Sequence, residues 1–171
     1  MSRIVKIRAT LDQLRLAPTT YMPVVAAAAS DSGTYVALPR YFTTPAQWPQ
    51  SSNLHCWECG QLPSGYPRFM VTSKIRTESG TDLYCVRGVF HEWCCAAKFI
   101  KTYHPDNAPD LLELLCEVEA KFSGRRRINM VEATSKYVMK QFIGDAAGIT
   151  IDQWNKDNER KTAEGTIFAP M

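Results

Sequence analysis

Two short cysteine motifs constrain this chain more than any other feature of its sequence. The first is CWECG at residues 56–60, and the second is FHEWCC at residues 90–95. A Cys-x2-Cys-Gly turn aims two thiolates at one point, which is the local geometry of a zinc knuckle. The second motif places a histidine and two cysteines where a helix is predicted to begin. Together the motifs predict one structural zinc site, and folding is expected to depend on the Zn2+ ion.

Four side chains form the predicted ligand set, namely Cys56, Cys59, His91 and Cys95. If the helix begins at His91, that residue and Cys95 are spaced i and i+4 and project from one helix face. Cys94 is an alternative to Cys95, and His55 is an alternative to His91 with poorer geometry. Four protein ligands leave no open position on the metal, so the spacing argues against catalysis and predicts that the protein is not an enzyme.

The neighbours of these ligands also have predicted roles. Cys85 and Cys116 are expected to be buried small hydrophobic side chains and not ligands. Trp57 and Phe90 each adjoin a ligand, and we expect them to pack as an apolar cap over the knuckle, because a dry shell strengthens metal binding. The alternative is a half-exposed Trp57 that is available to a partner.

Length and composition exclude several classes of protein. A chain of 171 residues is about the size of one domain, and its apolar fraction is that of a globular protein. Residues 1–16 interleave charged and apolar side chains, so no secretion signal is expected and the cysteines are expected to stay reduced. The longest uncharged run, residues 18–30, is too short and too weakly apolar to span a membrane.

The position of the positive charge is more informative than its total. The net charge of +3 is too small to indicate a polyanionic partner. Basic residues crowd the N-terminus, however, and Arg125, Arg126 and Arg127 form a run directly after Gly124. This run is either a solvated basic turn or a contact for nucleic acid or an acidic protein.

The order of predicted elements indicates an α+β fold in three parts. Residues 1–50 are expected to form a short N-terminal strand and an extended proline-rich arm, because proline lacks a backbone donor and disfavours helix before it. Residues 51–105 are expected to form a small treble-clef-like zinc finger made of the knuckle, a β-hairpin within 68–86 and a helix over 91–103. The third part, residues 106–171, is expected to be helical with a polar tail.

Three helices are predicted in that last part. The first ends at Gly124, where a glycine can close a helix. The second spans about residues 133–143. The third begins at Thr150, because Gln153 three residues later completes a capping box.

The same residues resemble a known protein family. LPRYF at residues 38–42, CWEC at 56–59 and GVF at 88–90, in that order around the hairpin, resemble the viral late transcription factor 2 family of poxviruses and other large nucleocytoplasmic DNA viruses. The resemblance is best over residues 38–103. A fainter similarity, over residues 137–154, is to the late transcription factor 3 family.

The resemblance implies a zinc-binding transactivator of late genes. Such a protein would contact DNA, the viral RNA polymerase or both, in the virus factory of the host cytoplasm. The family has cysteine where this chain has His91, and since histidine also binds zinc, the implied ligand role carries over to His91. The runner-up interpretation is a zinc-stabilised minor capsid protein of the virion, whose arm would lie along neighbouring capsid proteins. Neither interpretation requires a small-molecule substrate or a membrane span.

Overall fold

A computed structural model describes residues 38–124, 126–127, 130–164 and 168–169. The predicted N-terminal strand and most of the proline-rich arm lie outside these residues. The described residues all belong to one compact unit of the chain and form a mixed fold of helices and small antiparallel sheets. Within that described part, each helix is too short or too polar to cross a membrane.

The centre of the fold is a three-stranded antiparallel sheet in the order β1-β3-β2. Its strands are β1 (Tyr41–Phe42), β2 (Arg68–Arg76) and β3 (Asp82–Phe90). β2 and β3 form the predicted hairpin, which is therefore confirmed. Its turn is closed by a 2.8 Å hydrogen bond from the N–H of Thr77 to the carbonyl oxygen of Thr81. β1 pairs with the other edge of β3.

Four helices lie among the other described residues. They are α1 (Trp93–Tyr103), α2 (Ala108–Ser123), α3 (Lys140–Ile143) and α4 (Ile151–Glu164). Single 3-10 turns occur at Pro45–Gln47, Pro105–Asn107 and Lys136–Val138. Two more strands, β4 (Arg126–Arg127) and β5 (Phe168–Ala169), form a separate antiparallel pair.

Two predicted helix boundaries are confirmed by their hydrogen bonds. At the end of α2, Gly124 takes the left-handed conformation with φ of 69° and donates its N–H to the carbonyl oxygen of Ala120. At the start of α4, the N–H of Thr150 donates to Gln153 Oε1 at 2.8 Å, and the N–H of Gln153 donates to Thr150 Oγ1 at 3.2 Å. This reciprocal pair is the predicted capping box.

The predicted helix over residues 133–143 is wrong for most of its length. The chain there forms one 3-10 turn and the single turn of α3, separated by Met139 in an extended conformation. Tertiary hydrogen bonds explain the difference. The N–H of Ala133 donates to the carbonyl oxygen of Cys94 at 3.0 Å, and Met139 forms a parallel bridge with Ile149. These contacts direct the backbone elsewhere and outweigh a weak helix preference.

Aromatic side chains form the core between the sheet, α1 and α2. The ring of Phe69, in β2, lies 4.3 Å from that of Trp48, 5.2 Å from Phe42, 5.4 Å from Trp93 and 5.7 Å from Phe122, measured between centroids. These residues come from all three predicted parts of the sequence. The boundaries predicted at residues 50 and 105 therefore divide the sequence into segments that share one core.

Candidate metal centre

Three cysteine sulfurs meet at one buried point. The Sγ atoms of Cys56, Cys59 and Cys95 lie within 4.8 Å of one another, and all three residues are buried. Cys59 Sγ and Cys95 Sγ are 4.0 Å apart. Two sulfurs bound to one tetrahedral zinc, each at about 2.3 Å, would be separated by about 3.8 Å, whereas a disulfide requires about 2.05 Å. The three sulfurs are thus placed to hold a metal ion.

The knuckle supplies two of these sulfurs through a tight turn. The N–H of Gly60 donates to the carbonyl oxygen of Cys56 at 3.0 Å, and Gly60 adopts a φ of 76°, which glycine tolerates without strain. The backbone N–H groups of Glu58 and Cys59 each lie 3.4 Å from Cys56 Sγ and donate to it. Such donors stabilise a thiolate at Cys56 and orient it.

The contacts among the sulfurs give the three thiols unlike pKa values. The thiols of Cys59 and Cys95 donate to the sulfur of Cys56 and hold the pKa of Cys56 far below its usual range. The same hydrogen bonds to Cys56 raise the pKa of Cys59 and that of Cys95. A divalent cation bound among the sulfurs would displace the protons of Cys59 and Cys95, because metal ligation requires thiolates.

His91 does not occupy the helical position that the sequence predicts. α1 begins at Trp93, with Glu92 as its N-cap in an extended conformation, so His91 precedes the helix and the i, i+4 argument for it is wrong. His91 nevertheless lies beside the cluster, because its backbone N–H donates to the sulfur of Cys56. Its ring nitrogens lie outside the group of three sulfurs that share the 4.8 Å limit.

The Nδ1 atom of His91 is buried and has no hydrogen-bond partner among the residues that the structure describes. Burying a polar nitrogen without a partner costs about 1–3 kcal/mol. A bond from this nitrogen to a metal ion would remove that cost. The donor chemistry around the three cysteines therefore fits a metal ion with one nitrogen ligand.

The alternative ligands lie less favourably. Cys94 is buried but is not part of the group formed by the three sulfurs, so Cys95 is the cysteine of α1 that joins the knuckle. His55 is exposed, and its Nδ1 hydrogen-bonds to the carbonyl oxygen of Gly60 at 2.8 Å. Cys85 and Cys116 are only half-buried, so the prediction that both are buried is wrong, although both lie outside the sulfur group as predicted. Cys116 packs against the margin of the core.

The predicted apolar cap and its alternative are both present in the structure. Phe90 is fully buried, and its ring centroid lies 6.2 Å from that of Trp57 in an edge-to-face arrangement. Trp57 also contacts Phe99 of α1, with centroids 5.8 Å apart. The indole nevertheless remains 47% exposed. One side of Trp57 packs against Phe90 and Phe99 next to the knuckle, and the other side is exposed.

Sequence reasoning missed the importance of Gly88, although a glycine inside a strand is a signal for close packing. Gly88 has a φ of 82°, and a Cβ atom there would lie 2.8 Å from the Phe90 ring and 3.2 Å from the Trp57 ring. We expect Gly88→Ala to lower the free energy of unfolding by about 2–4 kcal/mol, from backbone strain plus overpacking. Urea denaturation measures this change.

Gly80→Ala is the matched control for that variant. Gly80 has a similar φ of 80°, but an added Cβ would meet only the end of the Arg76 side chain, at 3.8 Å. Gly80→Ala should therefore show the backbone strain alone, about 1–2 kcal/mol. Equal losses in the two variants would mean that Gly88 has no packing role beneath Trp57.

The structure describes the backbone of two of the three predicted partner-binding arginines. Arg125 lies outside the described residues. Arg126 and Arg127 form β4 and pair with β5, so their backbone is a strand and not the predicted turn. A register of Arg126 with Ala169 and Arg127 with Phe168 accounts for this extended backbone. Their role in partner binding stays a prediction.

Comparison of the chain with protein-family models, curated proteins and solved structures gives no match. The family resemblance drawn from residues 38–103 therefore stays a prediction. The geometry of the three cysteines and of His91 is the physical basis for assigning a function.

Proposed function

We propose that the protein is a zinc-binding late gene transcription factor of a large DNA virus, in which the metal ion is structural. The observation that carries the proposal is the buried group of sulfurs from Cys56, Cys59 and Cys95. Thiolates select zinc over the hard cations that prefer oxygen ligands. Burial of all three sulfurs favours a structural site, since a catalytic metal needs access for substrate and water.

His91 is the proposed fourth ligand, through Nδ1. This nitrogen is buried without a partner among the described residues, and the His91 backbone is already hydrogen-bonded to Cys56. Ligation by this nitrogen would complete a Cys3His set. Four protein ligands close the coordination sphere, which supports a role that is not enzymatic.

The order of elements around the site supports a treble-clef-like finger. The knuckle comes first, the hairpin of β2 and β3 follows, and the third cysteine lies in the first turn of α1. Each half of the site is therefore held by local structure. The hairpin brings the two halves together, because the N–H of Trp57 donates to the carbonyl oxygen of Val89 at 2.9 Å.

The segments that carry the family resemblance also lie together in the structure. Phe42 is buried in the core, Cys56 and Cys59 form the knuckle, and Phe90 packs beside Trp57. This clustering supports the interpretation that the three motifs belong to one structural unit. The partners proposed on that basis are the viral transcription machinery and DNA, and the proposed location is the virus factory.

A depletion experiment tests the transcriptional role. In cells infected by the virus that carries this gene, loss of the protein should leave early messages unchanged and sharply reduce late messages. Wild-type protein and Cys85→Ser should restore the late messages, whereas Cys56→Ser should not. Unchanged late messages, together with abundant protein in the shell of purified virions, would contradict the proposal and favour the capsid interpretation.

A further inference from the structure

A groove runs beside the knuckle, along the edge of β3. Its volume is about 710 Å³, within the range of known ligand sites. The described residues that line it include Arg40, His55, Trp57 and Arg87, and none of its lining residues carries a carboxylate. The groove therefore combines apolar walls with positive charge only.

The two arginines of the groove are not neutralised by neighbours. Arg40 and Arg87 are both exposed, and within the described part of the chain neither forms an ion pair. The guanidinium carbon of Arg87 lies 5.8 Å from the centroid of the Trp57 ring. A cation over the ring of a half-exposed indole gives the groove an anion contact next to an aromatic surface.

An aromatic row continues from the groove along α1. It consists of Trp57, Phe99 and Tyr103, with centroid separations of 5.8 Å for the first pair and 4.6 Å for the second. Trp57 is 47% exposed and Tyr103 is 58% exposed, while Phe99 is partly buried between them. Contiguous exposed aromatic surface of this kind marks a binding site more often than single exposed residues do.

We propose that this groove and the aromatic row bind single-stranded nucleic acid. Unpaired bases would stack on Trp57 and Tyr103, and the phosphates between them would contact Arg40 and Arg87. Aromatic faces interleaved with unpaired cations are the general means by which proteins hold single strands without reading sequence. The inference deepens the proposed function and rests on it, because it names the ligand class that a late transcription factor would hold.

The chemistry favours a single strand over the other anionic partners. In a duplex the base faces are already stacked, so Trp57 and Tyr103 would find no partner there. An acidic peptide would neutralise Arg40 and Arg87, but it would have no planar groups to stack on the exposed aromatic faces. Only a flexible polyanion with planar substituents satisfies both halves of the surface.

Fluorescence anisotropy of the zinc-loaded full-length protein tests the assignment. The probes are labelled 12-mers of deoxythymidine and of uridine, at low salt, and the two arms distinguish DNA from RNA. Trp57→Ala should weaken binding by about 5-fold to 150-fold, and Trp57→Phe should restore much of it by retaining a ring. Arg87→Ala should also reduce the slope of log affinity against log salt by about 0.7.

Controls separate binding from folding. Affinities are compared only between zinc-loaded proteins with the circular dichroism spectrum of the wild type, because Trp57 also packs against Phe90 beside the metal ligands. Tyr137→Ala removes an exposed aromatic side chain, 63% accessible, at a site that does not line the groove, and should bind as the wild type does. Arg76→Ala is the matched control for charge. Arg76 is exposed, pairs with Asp82 and does not line the groove.

Three outcomes would overturn the inference. Binding that survives the Trp57 and Arg87 changes but is lost when Arg125, Arg126 and Arg127 become alanine would place the contact at the arginine run. Binding of polyglutamate with no binding of either oligonucleotide would identify an acidic protein as the ligand. If the protein bound neither the oligonucleotides nor polyglutamate, the groove would not be a binding site for a polyanion. The late-message experiment is independent of each result, so the proposed function can stand or fall separately.

Discussion

Replacing Cys56 with serine is expected to leave this protein unfolded at room temperature. The variant should therefore show no cooperative unfolding transition. Structural zinc contributes about 10–16 kcal/mol of apparent free energy in finger peptides, whereas whole domains are stable by only about 5–15 kcal/mol. Cys56 accepts hydrogen bonds from three backbone N–H groups and from two thiols, so its sulfur lies at the centre of the cluster. Its loss should release the metal and leave the knuckle without a structure.

Circular dichroism and metal analysis of the purified variants measure this effect. Wild-type protein should contain one zinc per chain and lose its transition when a strong chelator is added. Cys85→Ser is the matched control, because Cys85 is half-buried and lies outside the sulfur cluster. A Cys56→Ser protein with full stability would remove the basis for a structural metal site.

The second large effect is expected at the centre of the aromatic core. Phe69 is fully buried, and its ring contacts the rings of four other aromatic residues. We expect Phe69→Ala to lower the free energy of unfolding by about 3–5 kcal/mol, through lost burial and the cavity that remains. Denaturant unfolding of zinc-loaded protein measures the change.

Ile75→Ala controls for a change of strand propensity in the same strand. Ile75 also lies in β2, but its side chain is 46% exposed. Its truncation should cost less than about 1 kcal/mol. Comparable losses from the two variants would show that Phe69 does not anchor the core.

Features determined by a few adjacent residues could be predicted from the sequence. The knuckle depends on two cysteines and the positive φ of Gly60, the end of α2 on Gly124, and the start of α4 on the side chains of Thr150 and Gln153. Each of these features is closed by hydrogen bonds within about five residues. Local chemistry alone therefore specified them.

Features determined by distant contacts could not be predicted in the same way. Residues 133–143 lose their helix to hydrogen bonds with α1 and with Ile149, which no local pattern reveals. The pairing of β4 with β5 joins residues about forty positions apart. His91 has the right neighbours for a helix start, but Glu92 takes the N-cap position instead.

The features of the candidate site also fall into these two groups, local and distant. Its cysteine pairs were visible as spacing, and the preference for Cys95 over Cys94 agrees with the placement of the three sulfurs. The groove was not visible, because Arg40, Trp57 and Arg87 are far apart in sequence and come together only when β1, the knuckle and β3 assemble. Exposure of Trp57 on one side and burial of Phe90 on the other likewise depend on tertiary packing.

X-ray absorption at the zinc edge of the purified full-length protein tests the central claim most directly. The coordination shell should contain three sulfurs at about 2.3 Å and one nitrogen at about 2.0 Å, from Cys56, Cys59, Cys95 and His91. His91→Ala should remove the nitrogen, and Cys94→Ser should leave the spectrum unchanged. A shell of four sulfurs that loses one in Cys94→Ser, or a protein purified without zinc, would contradict the account.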